Sequence, residues 1–314
     1  MIQSNQRRSA VIKSLVMRYD HAELRYKNIF KWIWVFLSPI RYLNDKFLIK
    51  RRVRLNEVSL PCIIDKEIGF TPIFLDKQLV ERSVNNTKSL SKIRKNFNTK
   101  PYLQEISDLS DYGLASPEFQ LATHPEVIKI VENYLGSFPY LYDITALWSP
   151  SSSNDGGKEI SNYQGSQLWH RDGDDVRIAK IWILCSDVNE ESGPTVLLPA
   201  NESERIARDI KYKQSYKVPF QVETSLNLDK TLEMRAIGSS GTTYFTDTDR
   251  LFHYGSRTSS TQERLVLMFH YVSFFSCYFR PINKTGKKHK VDPSILEAID
   301  DLSLNQKALL RGYL

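Results

Sequence analysis

Cysteine is scarce in this sequence: Cys62, Cys185 and Cys277 stand far apart, and no two are spaced as C-x-x-C. That argues against a disulfide framework or a thiolate zinc site and fits a reducing compartment. A membrane-spanning run is lacking too. The most apolar window, residues 29–40, is interrupted by Lys31 and stopped by Pro39, well short of the about 20 apolar residues a bilayer requires. No apolar stretch of about 7 to 15 residues follows the start, so no secretory signal is expected and the chain reads as cytoplasmic. Internal repeats are also lacking.

What is present suits a globular protein with a sizeable core: 314 residues, 41% hydrophobic and 25% charged. The 16 Tyr, 15 Phe and 5 Trp favour sheet over a helical bundle. The net charge of +7 is unevenly placed. Residues 1–54 hold 13 Lys and Arg against Asp20, Glu23 and Asp45, a balance of +10 that leaves −3 for the remaining 260 residues. Two Trp and two Phe lie within residues 29–40, flanked by basic residues. That composition suits a helix resting in a membrane interface, so a peripheral contact with the inner face of a membrane through residues 1–54 is an expectation. A buried packing helix with solvated basic neighbours is the alternative.

From Leu55 onward the texture changes. Residues 123–136 predict a helix with Thr123 as its cap, Glu126 completing a capping box and Gly136 ending it. Strands are predicted at 139–149, 164–172, 177–186, 194–199, 241–246 and 263–279, from β-branched and aromatic runs broken by Gly, Pro, Ser and Asn. Residues 149–157 read as a mobile loop where a substrate lid could sit. The tail, 293–312, reads as helical. Together these predict a mainly β fold with flanking helices, a β-sandwich or jelly roll.

One segment carries chemistry. Gln167-Leu168-Trp169-His170-Arg171-Asp172 reads as a strand ending in His-x-Asp, whose alternate residues share a face. With His253 as third ligand, His170 and Asp172 complete a two-histidine, one-carboxylate metal face with open positions. Arg264, eleven residues beyond His253, opens an apolar strand. A permanent cation there calls for an anionic partner, and a guanidinium–carboxylate pair would hold the far end of a keto-diacid. Alone, each signal is weak; in this order and spacing they reinforce one another.

These residues, with the run from Ile181 to Pro194, resemble the phytanoyl-CoA dioxygenase family. The resemblance covers roughly residues 115–280, extending loosely to a helix between Leu121 and Tyr140. It implies a double-stranded β-helix (a cupin-like jelly roll, about 139–280, within a dioxygenase domain of residues 59–290). Residues 1–58 form a basic extension and 291–314 a C-terminal helix. It also implies Fe(II), 2-oxoglutarate and O2. In it His170, Asp172 and His253 hold iron, and Arg264 binds the distal carboxylate of the cosubstrate. Ser256 becomes a cosubstrate contact and Trp182 a pocket wall. The chain departs from the family at Pro199-Ala200-Asn201-Glu202, where Pro-Gly-Ser-His is usual, and at Tyr254-Gly255-Ser256-Arg257. The implied activity is hydroxylation of an unactivated C–H in a small-molecule or lipid- or glycan-linked substrate, with 2-oxoglutarate converted to succinate and CO2. The carboxylate at Asp172 favours hydroxylation over halogenation.

Other residues read more plainly. Asp174 and Asp175 suggest a solvated acidic turn, His270 a core histidine, and Lys287-Lys288-His289-Lys290 a solvated surface. His21 and His124 have no partners in the sequence. The near-neutral body speaks against a nucleic-acid partner despite a pI of about 9.1. A non-catalytic jelly-roll binding module is the alternative class.

Overall fold

The computed structural model describes residues 29, 32, 33, 35, 36, 39–51, 59–94, 102–151, 163–173, 175, 177–213, 217–219, 228–259, 261–273 and 291–314. Nine strands form its frame: β1 (Phe70–Ile73), β2 (Gln104–Ser107), β3 (Tyr140–Ser149), β4 (Ile178–Leu184), β5 (Val196–Leu197), β6 (Met234–Arg235), β7 (Thr243–Thr246), β8 (His253–Tyr254) and β9 (Arg264–Val272). They make a six-stranded sheet in the order β1-β7-β4-β9-β3-β2 and a three-stranded sheet in the order β6-β5-β8. Every pairing is antiparallel. This is a double-stranded β-helix, or jelly roll, with helices on one side. β1 lies at the edge of the larger sheet, where Pro72 removes no central ladder bond.

The strands are apolar on both faces because both are covered. Along β9, Leu265, Leu267, Phe269 and Tyr271 join a core with α2 (Lys77–Arg94), α3 (Pro117–Ala122) and α4 (Pro125–Leu135). The alternate residue Val266 faces the space between the sheets, with Trp182, Leu184, Tyr244, Leu197 and Leu251. Each strand therefore carries one row for the helices and one for the barrel interior, which replaces polar–apolar alternation with nearly unbroken hydrophobicity. Further elements are α1 (Pro39–Arg51), α5 (Ala200–Asp209), α6 (Pro293–Glu297) and α7 (Leu304–Leu309).

Several expectations change. Residues 123–136 do not form one helix capped by Thr123. Thr123 ends α3, its hydroxyl donating to the Phe119 carbonyl at 2.9 Å, and α4 starts from His124 without a side-chain cap. Pro125 at the first helical position presets that start. Gly136 does end the helix, left-handed at φ 69°. Residues 164–172 are not a continuous strand: Gly165–Gln167 form a 3-10 turn, and His170 alone makes a bridge. Gly165 has φ +57°, and a Cβ there would stand 1.9 Å from the Tyr102 hydroxyl, so the turn requires glycine. The tail contains two short helices, α6 and α7. β1, β2, β6 and β8 have at most four residues each, too few to show a periodicity. Residues 152–162, 274–290, His21, Cys277 and Asp174 lie outside the described residues.

Candidate metal centre

His170 and His253 meet through their backbones. Each donates its N–H to the other's carbonyl, at 3.0 and 2.9 Å, which sets the rings 4.2 Å apart, centroid to centroid. The chain then bends so that the Asp172 N–H donates to the Thr248 carbonyl at 2.8 Å. This bend brings His170, Asp172 and His253 together with one ligand atom from each, all within 4.8 Å of one another. Asp172 Oδ1 lies 3.7 Å from His170 Nε2, and Oδ2 lies 3.9 Å from His253 Nε2. These spacings approach the about 3 Å between neighbouring atoms that bond one ion at about 2.1 Å. Around the pair, Trp169 packs edge-on to Tyr254 at 4.6 Å. The Arg257 guanidinium lies 3.6 Å over the Tyr254 ring and donates to the Gln167 carbonyl at 2.8 Å.

Both rings are prepared as neutral ligands. Nδ1 of His170 lies 2.8 Å from the Leu168 carbonyl, and Nδ1 of His253 lies 3.0 Å from that of Leu251. A carbonyl only accepts, so Nδ1 carries the proton and Nε2 turns its lone pair to the centre. Burial, then the neighbouring His253 ring and Lys217, hold His170 well below the usual imidazole value. Burial pushes His253 down to about 4, against the pull of Asp172. Asp172 is ionised: burial alone would raise it, but the neighbouring cations, Lys180 foremost, hold it well below the carboxylate range. Lys180 Nζ at 2.7 Å and Thr248 Oγ1 at 2.5 Å both donate to Asp172 Oδ2.

Arg264 is buried at the start of β9, opposite Ser149 of β3. It donates to the hydroxyls of Thr195 at 2.9 Å, Ser256 at 3.1 Å and Ser149 at 3.4 Å. Among the described residues no carboxylate pairs with it, and its buried Nε makes no hydrogen bond. Burial pushes the guanidinium down to about 10. Gly255 lies against it: a Cβ there would come 3.2 Å from Nη2. Gly255 is two residues past His253, about 7 Å of extended chain, so β8 leads from the histidine to the residue that lies against the guanidinium.

The structure thus brings His170, Asp172 and His253 together, and it places Arg264 against Gly255 and in contact with Ser256, which has φ 61°. Trp182 lies in the interior apolar cluster, on the same face of β4 as Lys180. His270 is buried, edge-on to Tyr142 at 4.7 Å and across from Lys180 in the ladder, at the opposite end of β9 from Arg264. Asp175 is not a solvated turn residue: it is fully buried and accepts from the Ser273 N–H and hydroxyl at 2.9 and 2.6 Å. Sequence reasoning missed Lys180, Thr248, Thr195 and Ser149. Lys180 did leave a signal, a lone charge in the apolar run Ile178–Leu184; the three hydroxyls left none.

No protein-family profile matches the chain, and no curated protein matches it. Solved structures that resemble it include EctD from S. alaskensis with 2-oxoglutarate and 5-hydroxyectoine, at 14% identity and TM-score 0.49, covering 72% of this chain and 80% of that one. The alpha-ketoglutarate-dependent carbocyclase SnoK from nogalamycin biosynthesis has 14% identity and TM-score 0.47, covering 71% and 87%. AviO1 from Streptomyces viridochromogenes has 12% identity and TM-score 0.44, covering 67% and 91%. All three scores fall below 0.5, so the functional reading rests on the residues of this chain.

Proposed function

We propose that the protein is an Fe(II)- and 2-oxoglutarate-dependent oxygenase of the phytanoyl-CoA dioxygenase type, hydroxylating a small-molecule or lipid- or glycan-linked substrate. One observation carries the reading. A cluster of two neutral imidazoles and a carboxylate lies in the same barrel as a buried guanidinium that no carboxylate of the described residues neutralises. A metal alone would not need Arg264, and a structural arginine would be expected to have a counter-ion.

The donor set fits the group. Two nitrogens and one carboxylate suit Fe(II) and leave positions open for a chelating keto-acid and oxygen. When bound, the iron and 2-oxoglutarate supply the oxidising chemistry, with succinate and CO2 as co-products. The chain's own residues do the rest. The Leu168 and Leu251 carbonyls fix which ring nitrogen faces the metal. Lys180 and Thr248 hold Oδ2 of Asp172 and so fix the carboxylate's orientation. Arg264, aimed by Ser149, Ser256 and Thr195, offers its guanidinium to the distal carboxylate, and Gly255 keeps that approach open. Trp182 and its apolar neighbours exclude water from the interior.

The test is an anaerobic titration of metal-free protein with Fe(II) and 2-oxoglutarate, watching for the weak visible charge-transfer band of the chelate. The band should disappear in His170→Ala and Asp172→Ala and require far more 2-oxoglutarate in Arg264→Ala. No band and no stoichiometric iron in the wild type would overturn the proposal and leave a jelly-roll binding module as the better reading.

A further inference from the structure

We propose that the outward face of the N-terminal helical segment is a docking surface for an anionic phospholipid bilayer. α1 has two opposed apolar faces. Tyr42 and Ile49 pack inward beside Tyr140 and Tyr313, and Asp45 on that side is buried. On the opposite side Ile40, Leu43 and Phe47 stand 76%, 64% and 57% exposed, at the i, i+3, i+7 spacing that lines one face of a helix. The helical residues before Pro39 repeat the division. Val35 is buried, whereas Trp32 and Phe36 are 58% and 83% exposed.

This is not the scattered apolar exposure that any surface carries. Of fifteen exposed large hydrophobic residues among those described, seven lie between Ile29 and Phe47. The surroundings identify the occupant. Lys46, Lys50 and Arg51 are exposed along the same helix, and residues 1–54 carry +10 while the other 260 carry −3. An aromatic and aliphatic stripe bordered by basic residues matches the layering of a bilayer interface, with apolar side chains sunk below anionic headgroups. A second copy of the same basic segment would repel it, and no described helix is long and apolar enough to cross a membrane.

The segment is also fixed to the chemistry. Val35 packs with Ile178 and Val272, at the ends of β4 and β9. Two residues along β4, Lys180 reaches Asp172. The lipid-facing segment is therefore anchored on the strand that carries Lys180, two residues from a side chain that contacts the candidate ligand Asp172. The docking surface itself does not depend on the oxygenase reading.

The experiment is co-sedimentation of the full chain with vesicles of phosphatidylcholine, with or without roughly one-third phosphatidylglycerol, at low and high salt. The wild type should bind the anionic vesicles and release in high salt. Phe36→Glu with Phe47→Glu, at exposed positions and with an unchanged thermal unfolding midpoint, should weaken binding at least about 30-fold. Lys46→Glu with Lys50→Glu should weaken it about tenfold or more on anionic vesicles. Wild-type protein that stays in the supernatant with both vesicles would overturn the proposal, as would equal binding of all variants. A lipid-free dimer that the Phe variant converts to monomer would instead assign the stripe to a second copy of this chain.

Discussion

Replacing Arg264 by methionine separates a cosubstrate clamp from a structural arginine. In the folded protein the guanidinium is pushed by burial from its ordinary 12.5 to about 10, so the charged form is disfavoured by about 3 kcal/mol. Its three hydroxyl hydrogen bonds contribute about 1 kcal/mol each, which roughly offsets that cost. Methionine retains most of the apolar stem and introduces no charge, and Ser149 and Ser256 can still bond each other, as they do now at 2.9 Å. The metal-free variant should therefore unfold in urea within about 2 kcal/mol of wild type. Binding of 2-oxoglutarate should fare far worse. Removing one member of a buried charge pair costs about 2–5 kcal/mol, or about 30-fold to several-thousand-fold in affinity. Calorimetry with Fe(II) under anaerobic conditions reads that loss directly. At 2-oxoglutarate a hundredfold above the wild-type dissociation constant, the wild type should gain about 2.7 kcal/mol of stability and the variant about 0.9 kcal/mol or less. Binding within threefold of wild type would refute the clamp. So would a variant that loses stability heavily while its affinity is unchanged, since Arg264 would then act only in folding.

Three other perturbations follow from the same geometry. Thr248→Val removes the hydroxyl that orients Asp172 Oδ2, and metal affinity measured by competition with a chelator should fall about tenfold or more. His253 titrates near 4 in the folded protein and about 6.5 when unfolded. Protons thus bind the unfolded state first, and the His253 contribution to metal-free stability should be full above about pH 6.5 and fall by about 3 kcal/mol by pH 4. His253→Gln should lessen this slope in urea denaturation at a series of pH values; an unchanged slope would count against a neutral, buried His253. Gly136 and Gly193 both have positive φ, but a Cβ at Gly136 meets nothing within 4 Å, whereas one at Gly193 comes 2.7 Å from the Thr258 N–H nitrogen. Gly136→Ala should cost about 1 kcal/mol by urea denaturation. Gly193→Ala should cost clearly more and should also weaken 2-oxoglutarate binding, because Gly193 accepts the Ser256 N–H.

The principal residues of the site were legible because their side chains are chemically unusual for their positions. His170, Asp172 and His253 are ligand types near strand ends, and Arg264 is a cation leading an apolar strand. The strands β3, β4 and β9 were legible for a related reason: each is long enough, at seven to ten residues, for β-branched and aromatic enrichment to stand out. Where an element is short, its neighbours decide. β8 is two residues long and exists because β5 pairs with it on one side while His170 bridges to it. The split of 123–136 into a helix end and a new helix start was lost because Thr123 and Glu126 satisfy a capping pattern, while Pro125 shifts the start by one residue.

Charge pairing is the part that only the fold settles. A lysine in a strand reads as a surface residue until β4 turns Lys180 inward onto Asp172, and Asp175 reads as solvated until Ser273 closes over it. Arg264 could be seen in the sequence as a cation needing an anion, but that the described protein supplies only hydroxyls is a fact of packing. Likewise, composition shows residues 1–54 to be basic and aromatic, while the direction in which Ile40, Leu43 and Phe47 point depends on which face of α1 the barrel occupies. Residue chemistry is local and is written in order along the chain. Burial and partnership are set by how the fold turns and pairs its segments, whether the partners stand 8 residues apart, as Asp172 and Lys180 do, or 98, as Asp175 and Ser273 do.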